Sequence, residues 1–183
     1  MSKSLVKLEN IVLVNPSSWS KKDGWKHLRY LDTGNVTKGQ IDLIVVYDPE
    51  VDKIPSRAKR IGENGDLVYS TVRPVKKHHG LLKDIPDNLV VSTGFAVLRS
   101  KYPEKFDTRY IYHLITQEFV TNYLQGIAEN NTTAYPALNP SDLTNLEFEF
   151  PSIKVQKSVS DFIGALDDKI EVNQKMNQTL EEI

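Results

Sequence analysis

A chain of 183 residues with 39% apolar and 26% charged side chains has room for one domain with a buried core and the make-up of an ordinary globular protein. It contains no Cys, which excludes a disulfide framework and any thiolate metal site. A net charge of −1 excludes a protein coated in positive charge, so a nucleic-acid role has to rest on where the charge sits.

In chain order, the N-terminal stretch from Met1 to Asn15 has too short an apolar run for a signal peptide. No segment nears the ~20 apolar residues of a membrane span, and a cytoplasmic protein is expected. Ile41 to Tyr47 is a short apolar run closed by Asp48-Pro49 and predicts a buried strand. Asp66 to Val72 and Leu89 to Leu98 are β-branched and aromatic runs, bounded by Gly65-Asp66 and by Pro86-Asp87-Asn88, and predict two more. Pro74 to Gly80 reads as the loop between them. Phe106 to Gln125 predicts the one strong helix of the body, with Asp107 as N-cap, Gly126 as stop, and Tyr110, Leu114, Ile115, Val120 and Leu124 sharing a face. Ile127 to Pro140 reads as a polar loop, and Leu146 to Phe150 alternates as a half-exposed strand. Strands and helices do not alternate regularly, so the body reads as α+β and not doubly wound.

After Pro151 the pattern changes. Val159, Ile163, Leu166, Ile170, Asn173, Asn177 and Leu180 follow one another at steps of four and three, the seam of a helix that lies along another helix. Two of these positions are Asn, a residue that lowers stability in such a seam but fixes register and partner number. The expected organisation is a globular body over residues 1–151 and a helical arm over 152–183.

Charge is uneven along the chain. Residues 53 to 79 carry Lys53, Arg57, Lys59, Arg60, Arg73, Lys76 and Lys77 against Glu63 and Asp66, a local excess of +5. On charge alone this interval reads equally as a solvated basic loop or as a phosphate-binding surface.

Enzymatic motifs are missing. Asn15-Pro16-Ser17-Ser18-Trp19 and Asn139-Pro140-Ser141-Asp142 each lack the second Pro of the amino-methyltransferase signature, and no Gly-rich cofactor loop precedes them. Asp48, Glu50 and Asp52 with Lys53 are the nearest thing to a nuclease carboxylate set, but they read as a solvated turn. His78-His79 lacks a third metal ligand at a usual spacing. No Ser or Thr stands in a nucleophile motif. No catalytic residue, metal or cofactor is assigned to this chain.

The words of the arm carry a resemblance. Gln156, Val159, Phe162, Leu166-Asp167, Lys169-Ile170, Asn173 and Leu180-Glu181 resemble the conserved spacer helix in the specificity subunits of type I restriction–modification systems. Val155 stands where that family usually has Glu. Upstream, Gly65 to Pro74 and Ser92 to Arg99 are similar to the central strands of the family's target-recognition domain. The approach to the arm, through Tyr135-Pro136, Asp142-Leu143, Leu146 and Pro151, follows the same order.

The resemblance implies a DNA-recognition subunit with no catalysis of its own. Its implied partners are double-stranded DNA, a modification subunit that uses S-adenosylmethionine, a restriction subunit that uses ATP, and a second copy or second half whose helix pairs with the arm as a coiled coil. Complete members carry two such halves, so a fragment and a natural half-subunit both fit. The implied DNA contacts are Arg57, Lys59, Arg60, Ser70, Thr71, Arg73, Lys76, Lys77 and His78, with Tyr135 in a second loop. Ser70 and Thr71 read equally as ordinary strand residues. Two other readings stand beside this one: the detached recognition domain of a fused restriction–modification enzyme, and a coiled-coil structural adapter.

Overall fold

The computed structural model describes residues 5–131 and 136–181. The chain opens with strand β1 (Leu5–Lys7), a helical turn α1 (Leu8–Ile11), β2 (Val12–Val14) and β3 (Leu28–Leu31). A hairpin of β4 (Val36–Thr37) and β5 (Gln40–Ile41) follows, then β6 (Val45–Tyr47), β7 (Ala58–Ile61), β8 (Leu67–Ser70) and β9 (His79–Leu81). Next come β10 (Leu89–Ser92), β11 (Phe95–Ser100), α2 (Thr108–Ile115), α3 (Glu118–Asn131), α4 (Pro140–Thr144), β12 (Glu147–Glu149) and the long α5 (Ile153–Glu181). The architecture is α+β, as the irregular order of elements predicts. Among the described residues no helix is long and apolar enough to cross a membrane.

Two four-stranded sheets form the body, in the orders β2-β11-β8-β9 and β6-β3-β10-β7. Side chains on successive strand residues point to opposite faces, and both faces of the first sheet are covered. Leu67, Tyr69, Ala96 and Leu98 face a core completed by Ile111, Ile115, Leu124 and Leu143 from the helices. Val68, Phe95 and Val97 face the other way and meet Leu31, Leu82, Leu89 and Val91 between the sheets. On the far side of the second sheet Leu28, Tyr30, Ala58 and Val90 bury Trp19. Burial on both faces is why β8, β10 and β11 read as unbroken apolar runs.

Several expected elements are corrected. The run Leu89 to Leu98 is not one strand but two, β10 in the second sheet and β11 in the first, joined through Thr93-Gly94. A Cβ at Gly94 would sit 2.7 Å from Thr33 Cγ2, so any larger residue at the crossing turn would have to displace Thr33. Ile41 to Tyr47 is divided between β5 and β6, and its residues are half-buried or exposed. The loop Pro74 to Gly80 holds a 3₁₀ turn, Pro74–Lys76, and the start of β9. The helix expected over Phe106 to Gln125 is broken after Ile115, where the Thr116 hydroxyl donates to the Tyr112 carbonyl at 2.8 Å. Its second half, α3, runs through Gly126 to Asn131, into the segment expected to be loop. Gly126 has open space around its Cα, and an exposed helical glycine costs only about 1 kcal/mol. Asp107 is the N-cap of α2 as expected, its carboxylate accepting from the Arg109 N–H at 2.8 Å.

The arm is anchored at its root. Gln156 is fully buried, accepts from the Asp107 N–H at 3.0 Å, and donates to the carbonyls of Lys105 at 3.0 Å and Pro151 at 2.8 Å. Arg109 adds an ion pair to Asp161 at 2.7 Å. The antiparallel pair β1–β12 ties the start of the described chain to the segment leading into the arm.

Candidate nucleic-acid interface

One end of the body gathers most of the basic interval. After β8, the Thr71 N–H and hydroxyl both donate to the Gly94 carbonyl, at 2.8 and 3.0 Å. The chain then passes Arg73, the turn Pro74–Lys76, Lys77 and His78 before returning as β9. Arg73 and Lys77 flank that turn with φ of 48° and 56°, the left-handed region that non-glycine residues enter at a cost of about 1 kcal/mol. The loop is therefore held in shape by its surroundings.

Those surroundings are α3 and the β4–β5 hairpin. The Val75 N–H donates to Gln125 Oε1 at 3.3 Å, and Lys77 Nζ meets Glu118 Oε2 at 2.5 Å. The hairpin tip, Lys38 and Gly39 with φ of 48° and 88°, donates its two backbone N–H groups to the carbonyls of Lys77 and His79. His78 Nδ1 lies 2.7 Å from the Val36 carbonyl, a contact that places a proton on Nδ1. The supporting role of α3 and of the hairpin has no signal in the sequence, because it is made by backbone groups and by residues distant in the chain.

The two histidines part company. His79 is buried, stacked at 5.7 Å on Tyr69 and edge-on at 5.4 Å to Tyr112, with Nδ1 3.2 Å from the Tyr112 hydroxyl. Burial pushes its pKa down to about 4, helped by the charge of Lys77, so it is a neutral core residue. Burial pushes the Tyr69 and Tyr112 hydroxyls up to about 12.

The expected contact residues thus fall into three groups. Arg73, Lys76, Lys77 and His78 share the loop, and Arg57 joins them because its carbonyl accepts from the Thr93 N–H of the crossing turn at 2.9 Å. Ser70 and Thr71 sit beneath that loop, buried at 3% and 8% exposure, with their hydroxyls donating to the carbonyls of Val72 and Gly94. They shape the turn and present no free hydroxyl. Lys59 and Arg60 run away along β7, where the Trp19 N–H donates to the Lys59 carbonyl. Arg60 is half-buried, its Nη1 has no hydrogen-bond partner among the described residues, and burial lowers its pKa. Tyr135 lies outside the described residues.

Asp48 and Asp52 spend their carboxylates on the turn they occupy, accepting from the N–H groups of Glu50 and Asp48. Among the described residues no group of three or more His, Asp or Glu side chains gathers as a metal site.

The arm presents a second surface. Gln156, Ser160, Ile163 and Gly164 turn toward the body. About a quarter turn around the helix lies an exposed apolar stripe of Val155, Val159, Phe162, Leu166, Ile170 and Leu180. Ile163, expected in the seam, is half-buried against the body, whereas Val155 and Phe162 widen the stripe and were missed by the four-three spacing. Asn173 and Asn177 are exposed on the distal half.

The described residues thus form a two-sheet α+β body with a basic loop at one end, followed by a long helix that carries an exposed apolar stripe. Residues 51–182 match the family model of the type I restriction modification DNA specificity domain, and the chain belongs to that family. It is 29% identical to the type I restriction enzyme HindI specificity subunit of Haemophilus influenzae over 88% of this chain and 34% of that protein. It is 24% identical to the MjaVIII specificity subunit of Methanocaldococcus jannaschii over 97% of this chain and 42% of that protein. The crystal structure of the HsdS subunit from Thermoanaerobacter tengcongensis superposes with a TM-score of 0.76 at 25% identity, covering 94% of this chain and 44% of that one. This chain therefore spans between a third and a half of the length of these relatives.

Proposed function

We propose that this chain chooses a DNA sequence for a type I restriction–modification complex and performs no catalysis itself. In this reading residues 1–151 are the target-recognition domain and 152–183 the spacer helix. The observation that carries it is the pairing, in one family member, of a braced basic loop at one end of the body with an anchored arm whose apolar stripe is left in water. Arg73, Lys76, Lys77 and His78, with Arg57 beside them, approach the duplex; cationic groups there gain affinity by releasing counterions from phosphates. Lys59 and Arg60 on β7 and the turn-shaping Ser70 and Thr71 contribute through the scaffold.

The arm stripe pairs with another helix of the same pattern, in a second copy or a second half. Burying one such Leu is worth about 1.5 to 3 kcal/mol, so Leu166 and Ile170 together decide association. The assembled pair receives the modification subunit, which supplies S-adenosylmethionine-dependent methylation, and the restriction subunit, which uses ATP. The setting is the cytoplasm, where the host DNA lies.

Salt-dependent DNA binding tests this reading. Replacing Lys76 and Lys77 together by Ala is expected to weaken binding to all duplexes alike and to flatten the salt slope by about one to two units. An unchanged slope would move the DNA surface off this loop.

A further inference from the structure

A cleft of about 460 Å³ opens beside the basic loop, lined by Tyr30, Asp32, Asn35, Tyr47 and Arg57 among others. It meets the loop at the Thr93-Gly94 crossing. Arg57 is bonded to Thr93 through its backbone, Thr33 packs on Gly94, and Gly94 in turn receives both bonds from Thr71. The cleft and the proposed DNA loop therefore belong to one continuous end of the molecule.

The polar groups in the cleft are arranged in a chain. Tyr30, 6% exposed at the end of the second sheet, donates its hydroxyl to Asp32 Oδ1 at 2.8 Å. Burial pushes that hydroxyl up to about 12, so it stays protonated and donating, with Ser92 nearby. Ser92 Oγ itself accepts from the Gly94 N–H at 3.3 Å. The Asp32 carboxylate is thereby held through Oδ1, and Asp32 lines the cleft. Arg57 lines the same cleft, and its guanidinium makes no ion pair and no side-chain hydrogen bond among the described residues. Tyr47 meets Tyr30 edge-on at 6.4 Å and walls the cleft.

A carboxylate on a surface that meets phosphates is repelled unless it finds a hydrogen-bond donor. In the major groove the donors are the exocyclic amino groups, above all cytosine N4, and the group that Arg recognises best is guanine O6 with N7. Those two features are the opposite halves of a single base pair. Resting on the DNA-reading function above, we infer that the Tyr30–Asp32–Arg57 cleft reads one G·C pair: Asp32 accepts from the cytosine amino group, Arg57 donates to guanine, and Tyr30 is the positioning residue that aims Asp32.

The test is selection of bound duplexes from a randomised library by the full chain, comparing wild type with Asp32→Asn, Arg57→Gln and Tyr30→Phe. Wild type is expected to select a consensus containing a fixed G·C pair. With the Tyr30 hydroxyl occupying the amide oxygen, Asp32→Asn offers a donor where an acceptor stood, and preference at that one position should fall by about tenfold or more. Arg57→Gln should relax the same position. Tyr30→Phe should relax it partly, a position-specific readout that a purely structural role would not give. In Asp32→Asn and Tyr30→Phe binding to an unrelated duplex at low salt should stay within about threefold, whereas Arg57→Gln also loses a cation and is judged by the position at which preference changes. A consensus unchanged in Asp32→Asn, or one weakened evenly at every position, would overturn the assignment. If in that case the Lys76/Lys77 double variant still flattens the salt slope, the DNA-reading function stands and only the cleft falls. A wild-type chain that selects no sequence and shows no salt-dependent binding would overturn both.

Discussion

Gln156 is the residue on which the geometry of the arm should depend, and the effect of removing it can be worked out. Its side chain is 1% exposed and makes three hydrogen bonds, accepting from Asp107 and donating to Lys105 and Pro151. A typical intramolecular hydrogen bond is worth about 1 kcal/mol net, and stranding a buried partner adds to that cost. Gln156→Ala should therefore destabilise the folded chain by about 3 to 4 kcal/mol, which for a protein of this size lowers the melting temperature by roughly 6 to 16 °C. Gln156→Glu keeps an acceptor for Asp107 but turns a second acceptor on two carbonyls, so it should be no better. Asp161→Ala is the control, since that carboxylate is 65% exposed and its ion pair with Arg109 is worth about 0 to 1 kcal/mol. Thermal unfolding followed by circular dichroism gives the totals, and amide exchange at Asp107 reports the joint itself. A loss below about 0.5 kcal/mol in Gln156→Ala, with Asp107 still protected, would refute the claim that this side chain holds the arm.

Three further outcomes are expected. Asp66 is buried under a two-pronged contact from Arg99, at 2.7 Å to Nε and 2.9 Å to Nη2. Removing the carboxylate should cost about 3 to 5 kcal/mol in urea unfolding, and the double Asp66/Arg99 variant should cost less than the two singles combined. His79 titrates near 6.5 in the unfolded chain and at about 4 when folded, so the unfolded state takes up the proton first. The stability due to neutral His79 is thus present above pH 6.5 and lost as pH falls to about 4, by up to ~3 kcal/mol; His113, also lowered by burial, acts in the same sense. The urea midpoint should drop over that range, and His79→Phe should flatten the profile. Changing Leu166 and Ile170 together to Asp should leave the melting of the body unaltered, because both are about half exposed, while sedimentation shows loss of association. Retained association would assign that stripe another role.

What could be read beforehand was whatever depends on neighbours in sequence. The arm was legible because a helix repeats its face every three to four residues, and Asp107 because an N-cap bonds within its own turn. The basic loop was legible from charge, since seven cations within 27 residues need no knowledge of contacts. The break between β10 and β11 was not. Both strands are buried on both faces, so no period marks where one ends, and Gly94 announces itself only through its distance to Thr33. Gly126 misled for the converse reason: a stop signal and an exposed helical glycine are the same letter.

The cleft shows where such reading ends. Arg57 was singled out by charge, but charge placed it with Lys59 and Arg60, its neighbours along β7. Its partners in space are Tyr30 and Asp32, some 25 residues upstream on β3 and just beyond it, brought there because β10 pairs parallel to β3 and antiparallel to β7. Asp32 in isolation is one of seven acidic residues balancing seven basic ones in the first 52 positions, and nothing distinguishes it. Only the buried Tyr30 hydroxyl, fixed by the sheet and bonded to the carboxylate, separates an aimed acceptor from a solvated acid. On the proposed reading, sequence choice rests on a pair of residues that the sheet brings together, whereas affinity rests on a run of charge that a single loop can supply. The two properties should therefore separate under mutation, with the loop lysines changing how tightly DNA is held and the cleft changing which DNA it is.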